Sequence, residues 1–364
     1  KRGDDLKVRG RLRYAYQDGT WTSIWHGAPA PVGAQADTEA MEGSGPGAVL
    51  KHVRNLVQRT PESTRQSRDS LIIDEFRKSL SRIDLGIAKY DGKLSFGTGW
   101  PAGTYNRFGT AFTKYASKNR FSIYNYASEG SVENGHQLQA GQLNFALLQS
   151  DVAEVLYKGW LEELQIPHPD LRSMASLWPE ALHVVTLAAN GIDTFSDLEG
   201  KRLAIGSSRS GTRFTAIRVW KASELTVPDI TRIREIGLGA SIEALENGKV
   251  DAIFVAGAIP DPAIQELSQR RQDVRLIPIA QSSIRKLTAE HFAYYGITIP
   301  EKTYPGQKEP SQTLGFAALL ITNRATEYED VKTFLRHKVE GADVISRYFY
   351  RAGFISPDPA RLGM

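Results

Sequence analysis

The sequence predicts an α/β protein whose main body forms two lobes, preceded by a small α+β extension. Three observations carry this. From Lys93 onward, short apolar runs end in Gly/Ser/Thr-rich turns and lead into helical patterns, the alternation that builds parallel sheets with helices on both faces. That body, about 270 residues, exceeds one comfortable hydrophobic core and divides in two. Residues 1–92 follow a different pattern and stand apart from it.

In the extension, Leu6–Tyr16 and Thr20–His26 alternate and are rich in aromatics, and Gln17-Asp18-Gly19 between them marks a hairpin. Residues 27–48, with Gly27-Ala28-Pro29-Ala30-Pro31 and Gly43-Ser44-Gly45-Pro46-Gly47, have the composition of a poorly ordered linker. Apolar residues then recur at threes and fours over Val49–Arg59 and Ser67–Ile83, predicting two helices. In the body, the strand candidates are Leu94–Gly97, Phe121–Tyr126, Phe145–Leu148, His183–Leu187, Arg202–Ile205, Ile233–Ile236, Ala252–Val255 and Arg275–Pro278. A crevice between the lobes is the expected ligand site, because open α/β sheets bind ligands beyond the carboxyl ends of their strands.

Composition excludes several functions. Lys+Arg 45 against Asp+Glu 41 leaves a net charge of +4, and no long basic run indicates a nucleic-acid partner. With no cysteine there is no disulfide framework, thiolate metal site or thiol nucleophile. The longest apolar runs, such as Leu314–Ile321, fall far short of the roughly 20 residues that cross a bilayer. The opening Lys1-Arg2-Gly3-Asp4-Asp5 leaves room for a leader or membrane anchor removed upstream.

Three small-residue loops each stand between a strand and a helix. The first, Phe96-Gly97-Thr98-Gly99-Trp100-Pro101-Ala102-Gly103-Thr104-Tyr105, lets backbone N–H groups face a ligand at a helix start, or serves only as a tight turn. Its third glycine falls one residue late for a dinucleotide fingerprint. In the second, Ala127 to Asn134, Ser131 and Asn134 either cap the helix or reach the crevice. The third, Gly206-Ser207-Ser208-Arg209-Ser210-Gly211-Thr212-Arg213, has threonine where a phosphate loop needs lysine, which argues against nucleotide hydrolysis. It keeps the parts of an anion site: a helix start with Arg209 and Arg213 either within reach or in solvent. No catalytic set emerges: the seven histidines lack metal-ligand spacing and no Gly-x-Ser-x-Gly turn occurs, so binding is favoured over chemistry and neither metal nor cofactor is expected.

From Lys93 to about Thr322 the order of motifs resembles the TAXI family of TRAP-transporter solute-binding subunits. The matching residues are Gly97-Thr98-Gly99 with Gly103-Thr104-Tyr105, Gly130-Ser131-Val132-Glu133-Asn134, Gln149-Ser150-Asp151-Val152-Ala153 with Gly159, and Leu177-Trp178-Pro179-Glu180. They continue through Leu198-Glu199-Gly200-Lys201-Arg202, Gly206 with Ser210-Gly211-Thr212, the run Gly248 to Gly257, and Thr298-Ile299-Pro300 with Tyr304. The resemblance implies a type II periplasmic binding-protein fold, with lobe I over 93–184 and 299–364 and lobe II over 185–298. It implies capture of a small organic anion, carboxylate or amino-acid-like, for a membrane permease driven by an ion gradient, in a periplasmic or exported protein, free or tethered. Carried over by position, the pocket draws on Thr98, Gly99, Tyr105, Ser131, Asn134, Ser150, Asp151, Trp178, Ser210, Gly211 and Thr212, with Arg209 added as an anion-binding candidate.

The chain departs from the family pattern at Arg209, usually small, at Arg213, usually acidic, at Glu129, usually glycine, and at Asn106, often tyrosine. An inward Arg209 would imply a stronger or larger anion than glutamate. The extension has no counterpart in the usual subunit, which leaves a second expectation open: a ligand-sensing or interaction module that docks a partner through residues 1–92.

Overall fold

The structure is a computed structural model and describes residues 11–17, 20–26, 45–59, 68–101, 103–160, 166–225 and 232–348. Its contacts separate two units, 1–59 and 60–364. The first contains the expected hairpin, β1 (Arg11–Gln17) paired antiparallel with β2 (Thr20–His26) in the register Arg11 to His26, and the helix α1 (Pro46–Arg59). Residues 6–10 of the expected first strand and 27–44 of the expected linker lie outside the described residues. Pro46 and Gly47 belong to the first turn of α1, where a proline without an N–H costs nothing.

The second unit begins with α2 (Arg68–Tyr90), which runs past the predicted Ile83 and packs against β3 (Leu94–Gly97) and β4 (Ile123–Tyr126). Between those strands lies α3 (Thr104–Lys118). Then come α4 (Ser131–Gln139), β5 (Phe145–Gln149), α5 (Ser150–Lys158) and a long strand, β6 (Leu171–Leu187). β7 (Leu203–Ala204), α6 (Gly211–Ala222), β8 (Ile233–Arg234), α7 (Leu238–Glu246), β9 (Ala252–Ala258), α8 (Pro262–Arg270), β10 (Val274–Leu276) and α9 (Gln281–Glu290) form the next stretch. The chain returns through β11 (Tyr295–Ile299) and β12 (Ser311–Asn323), and α10 (Tyr328–Glu340) and α11 (Ala342–Tyr348) follow.

The strand order is β4-β3-β5-β12-β6-β9-β7-β8, with β10 beside β6 and β11 beside β12. β3, β4 and β5 are mutually parallel, as are β7, β8 and β9, so each half has the parallel αβ character read from the sequence. Between the halves run β6 and β12, antiparallel to each other and to their outer neighbours β9 and β5. This is the two-lobed type II periplasmic binding-protein fold. The sequence reading missed β11, β12 and the first half of β6. Pro179 argues against a central strand because it has no N–H to give the ladder. Here it sits opposite Ala317, where β6 passes from one set of neighbours to the other. Beside it, the Ala317 N–H donates to Ser150 Oγ at 2.9 Å.

Both faces of each half are covered, which explains continuous apolar strands rather than alternating ones. On β5, Phe145 and Leu147 enter one core with Phe96, Phe112 and Phe334, while Ala146 and Leu148 enter another with Leu138 and Val155. Phe334 stacks on Phe112 at 4.2 Å between ring centroids and meets Phe96 edge-on at 5.2 Å. On β9, Phe254 and Ala256 face the core that holds Trp220 and Phe316, and Ile253 and Val255 face the one that holds Ile264 and Tyr304.

Candidate functional site

A cavity of about 100 Å³ opens between the halves. At roughly 10–15 Å³ per water-sized group it admits about seven to ten such groups, the size of a small organic acid. Four helices begin on its wall: α3 at Gly103-Thr104, α4 at Gly130-Ser131, α6 at Ser210-Gly211 and α7 at Gly237-Leu238. Gly103, Gly130 and Gly237 cap their helices without a side chain, and only Ser210 closes its own end, its Oγ accepting from Arg213 N at 3.1 Å. Glycine at these positions therefore leaves N–H groups and the positive ends of the helix dipoles available to a ligand.

Glycine also sets how closely the halves approach. Gly130 has φ +132°, and a Cβ there would stand 3.3 Å from the Ser210 backbone on the opposite side. A Cβ on Gly211 would fall 1.3 Å from Gln149 Oε1 and 3.1 Å from Ser131 Oγ. Across the same seam Glu133 N donates to Arg209 O at 3.2 Å.

Of the residues singled out in the sequence, Gly99, Tyr105, Ser131, Ser210, Gly211 and Thr212 are brought together on the cavity wall. The others serve around it. Thr98 is buried, its Oγ1 donating to Asn125 Oδ1 at 2.8 Å and accepting from Asn106 Nδ2 at 3.1 Å. Asn134 is buried behind it and donates to Thr98 O and Leu147 O, both at 2.8 Å. Ser150 Oγ accepts from Ala317 N at 2.9 Å and donates to Ala293 O at 3.2 Å, and Asp151 is buried, accepting from Thr215 Oγ1 at 2.6 Å and Tyr294 OH at 2.9 Å. Burial raises the Asp151 carboxyl above its ordinary range, against the pull of those donors. Trp178 packs edge-on against Tyr105 and Phe108 inside the core. Arg209 is exposed and off the wall, and Arg213 pairs with Glu235 at 2.6 Å, so the inward arginine considered above does not occur.

Glu180, Gln149 and Glu129 also stand on the wall; the sequence named them in the matching motifs or as a departure, but not as pocket residues. Glu180 is 1% exposed, accepts from Tyr105 OH at 2.7 Å and Trp178 Nε1 at 3.2 Å, and its carboxyl is pushed up to about 8, chiefly by burial and also by Asp151 and Asp261 nearby. Gln149 is buried, with its Nε2 lacking a hydrogen-bond partner. Glu129 has a side chain 8% exposed, with Oε1 3.7 Å from Lys78 Nζ and Oε2 without a hydrogen-bond partner. An acidic residue inside the otherwise apolar run Leu177–Leu182 was the available signal for Glu180. Trp100 supplies an apolar wall, whereas Trp178 does not reach the cavity.

The opening of α8 adjoins this wall. Asp261 caps α8, accepting from Ala263 N at 2.9 Å and Ile264 N at 3.2 Å, and also accepts from Thr104 Oγ1 of α3 at 3.2 Å. Among the described residues no group of three or more His, Cys, Asp or Glu is placed to hold a metal, and no helix is long and apolar enough to cross a membrane.

Solved structures of similar course include MatC from Rhodopseudomonas palustris with bound malate, at 14% identity, TM-score 0.49, covering 74% of this chain and 91% of that one. Another is the arginine-, lysine-, histidine-binding protein ArtJ from Geobacillus stearothermophilus, at 12% identity, TM-score 0.41, covering 71% of this chain and 95% of that one. At such identities and TM-scores neither likeness says anything of this chain's ligand. Residues 96–351, most of the second unit and all of the cavity wall, match the model of the NMT1-like family, and the chain belongs to that family.

Proposed function

We propose that the chain is a solute-binding protein that captures a small organic acid between its lobes and passes it to a TRAP-type permease, as a TAXI-like subunit. The observation that carries the reading is the convergence of four helix starts, three capped by glycine, on one cavity between the halves. Such a site holds a carboxylate by backbone N–H groups and dipoles without a resident cation. Pairing partners change at Pro179 on β6 and at Ala317 on β12, which supports a hinge there between a lobe built on 93–184 with 299–364 and one built on 185–298. Ligand binding then shifts an open–closed equilibrium through its preference for the closed form. Delivery to a permease goes with a periplasmic or exported protein, free or tethered.

The test is native mass spectrometry of the purified protein, followed by a thermal-shift screen of organic acids. A stoichiometric acid whose stabilisation is lost in Thr212→Ala and kept in Arg209→Ala supports the reading. A protein that no organic acid stabilises refutes it.

One observation favours a second reading, a sensing or partner-docking module. Ser81 Oγ of α2 donates to Ala127 O at 3.0 Å, and Lys78 approaches Glu129 on the cavity wall. This helix, from the sequence's N-terminal 92 residues but part of the second unit, thus touches a loop of the proposed site. If Lys78→Ala changes ligand affinity severalfold, that coupling supports sensing, and unchanged affinity speaks for transport alone.

A further inference from the structure

No side chain on the cavity wall answers an acid with a full positive charge. Among the described residues that line it none is Lys, Arg or His, and Glu180 stands there 1% exposed, accepting only from the neutral Tyr105 and Trp178. The other wall carboxyl, Glu129, differs in having Lys78 Nζ 3.7 Å away. The ionisable groups that act on Glu180 are Tyr105 of α3, Asp151 of α5, Asp261 of α8 and Tyr295 of β11, none of them cationic. Its partners across the ladder, Ala258 on β9 and Phe316 on β12, carry no charge. An acid entering this space adds a negative charge beside a carboxyl that burial already disfavours as an anion. Two such groups repel, and a proton on one of them removes the repulsion.

We infer that the acid is bound together with a proton, the proton resting on the Glu180 carboxyl and the negative charge on the ligand at the helix starts. This rests on the acid-binding reading above and adds to it a linkage between ligand and pH. The Tyr105 contact serves both forms of Glu180, because the hydroxyl donates to a carboxylate and turns to accept from a carboxyl. Burial pushes Glu180 up to about 8 in the free protein. At pH 7 the proton is therefore mostly in place before the acid arrives, and at pH 9 it is taken from solvent as the acid binds. A neighbouring anion raises Glu180 further, so affinity falls as pH rises through this range, by about tenfold between pH 7 and pH 9.

Isothermal calorimetry with propionate, lactate, succinate and glutarate at pH 7 and pH 9 tests this. All four acids stay ionised throughout, so their own titration does not enter. In two buffers of different ionisation enthalpy, the tightest binder should take up about one proton per acid at pH 9 and close to none at pH 7, with affinity about tenfold lower at pH 9. Glu180→Gln, whose amide keeps the shape, should take up none and bind equally at both pH values. Proton uptake by the unaltered protein is read without any variant, so misfolding of Glu180→Gln does not hide the answer. Uptake near zero at pH 9, or a pH dependence that survives in folded Glu180→Gln, overturns the inference alone. Failure of all four acids to bind at pH 7 overturns the acid-binding reading and the inference with it.

Discussion

Replacing Glu180 by glutamine should make the protein more stable, and increasingly so as the pH rises. The carboxyl titrates near 4.5 when exposed and near 8 in the fold, so between those values the folded state binds the extra proton. Stability therefore falls as pH rises through this window, by about 1.4 kcal/mol per unit, and is highest below 4.5. Over the whole window the loss approaches about 5 kcal/mol, and about 3 kcal/mol of it has accrued by pH 7. The amide carries no such titration. Its oxygen can keep the Trp178 Nε1 bond while its NH₂ donates to the Tyr105 hydroxyl, which turns to accept. Urea unfolding of both proteins at pH 5, 6, 7 and 8 reads the difference, and subtraction removes Asp151 and Asp261, whose carboxyls burial also raises. A gap that widens steadily with pH is expected. A gap that is flat, or that widens towards acid, would refute the reasoning that Glu180 is held neutral by burial.

Gly211→Ala should leave unfolding midpoints nearly unchanged, because the added methyl meets the movable end of Gln149, yet weaken acid binding at least tenfold as Gln149 is pushed into the cavity. Calorimetry against the best-binding acid checks it. Tyr294→Phe removes one of the donors to the buried Asp151 and should cost about 1.5–3 kcal/mol in urea unfolding at pH 7. Phe334→Ala empties the centre of the ring cluster formed with Phe96, Phe112 and Phe145 and should cost about 3–5 kcal/mol by the same measurement.

Local pattern was enough for the parts of this protein that depend on near neighbours. Short apolar runs ending in Gly-rich turns mark β3, β4 and β7 and the helix starts that follow, because turn chemistry and helix capping are decided within a few residues. Gly99, Ser131, Ser210, Gly211 and Thr212, which the resemblance carried over as pocket residues, stand in those loops and on the wall. β12 was legible only as an apolar run, since nothing local distinguishes a strand that crosses both halves from a buried helix turn. Pro179 concealed the first half of β6, because a residue without an N–H reads as a break, and it stands where β6 takes on β9 as a neighbour beside β12, a pairing decided far away in the chain.

What the sequence by itself determined is the αβ alternation, the division of the body and the small-residue loops at the helix starts. What only the tertiary structure decided is the charge of the site. Glu129, Gln149 and Glu180 come from three separate elements, and their burial follows from how the halves meet. Arg209 stands beside the same loop and remains in solvent. Whether a charged side chain points in or out depends on desolvation by groups distant in the chain, and that term has no local signature.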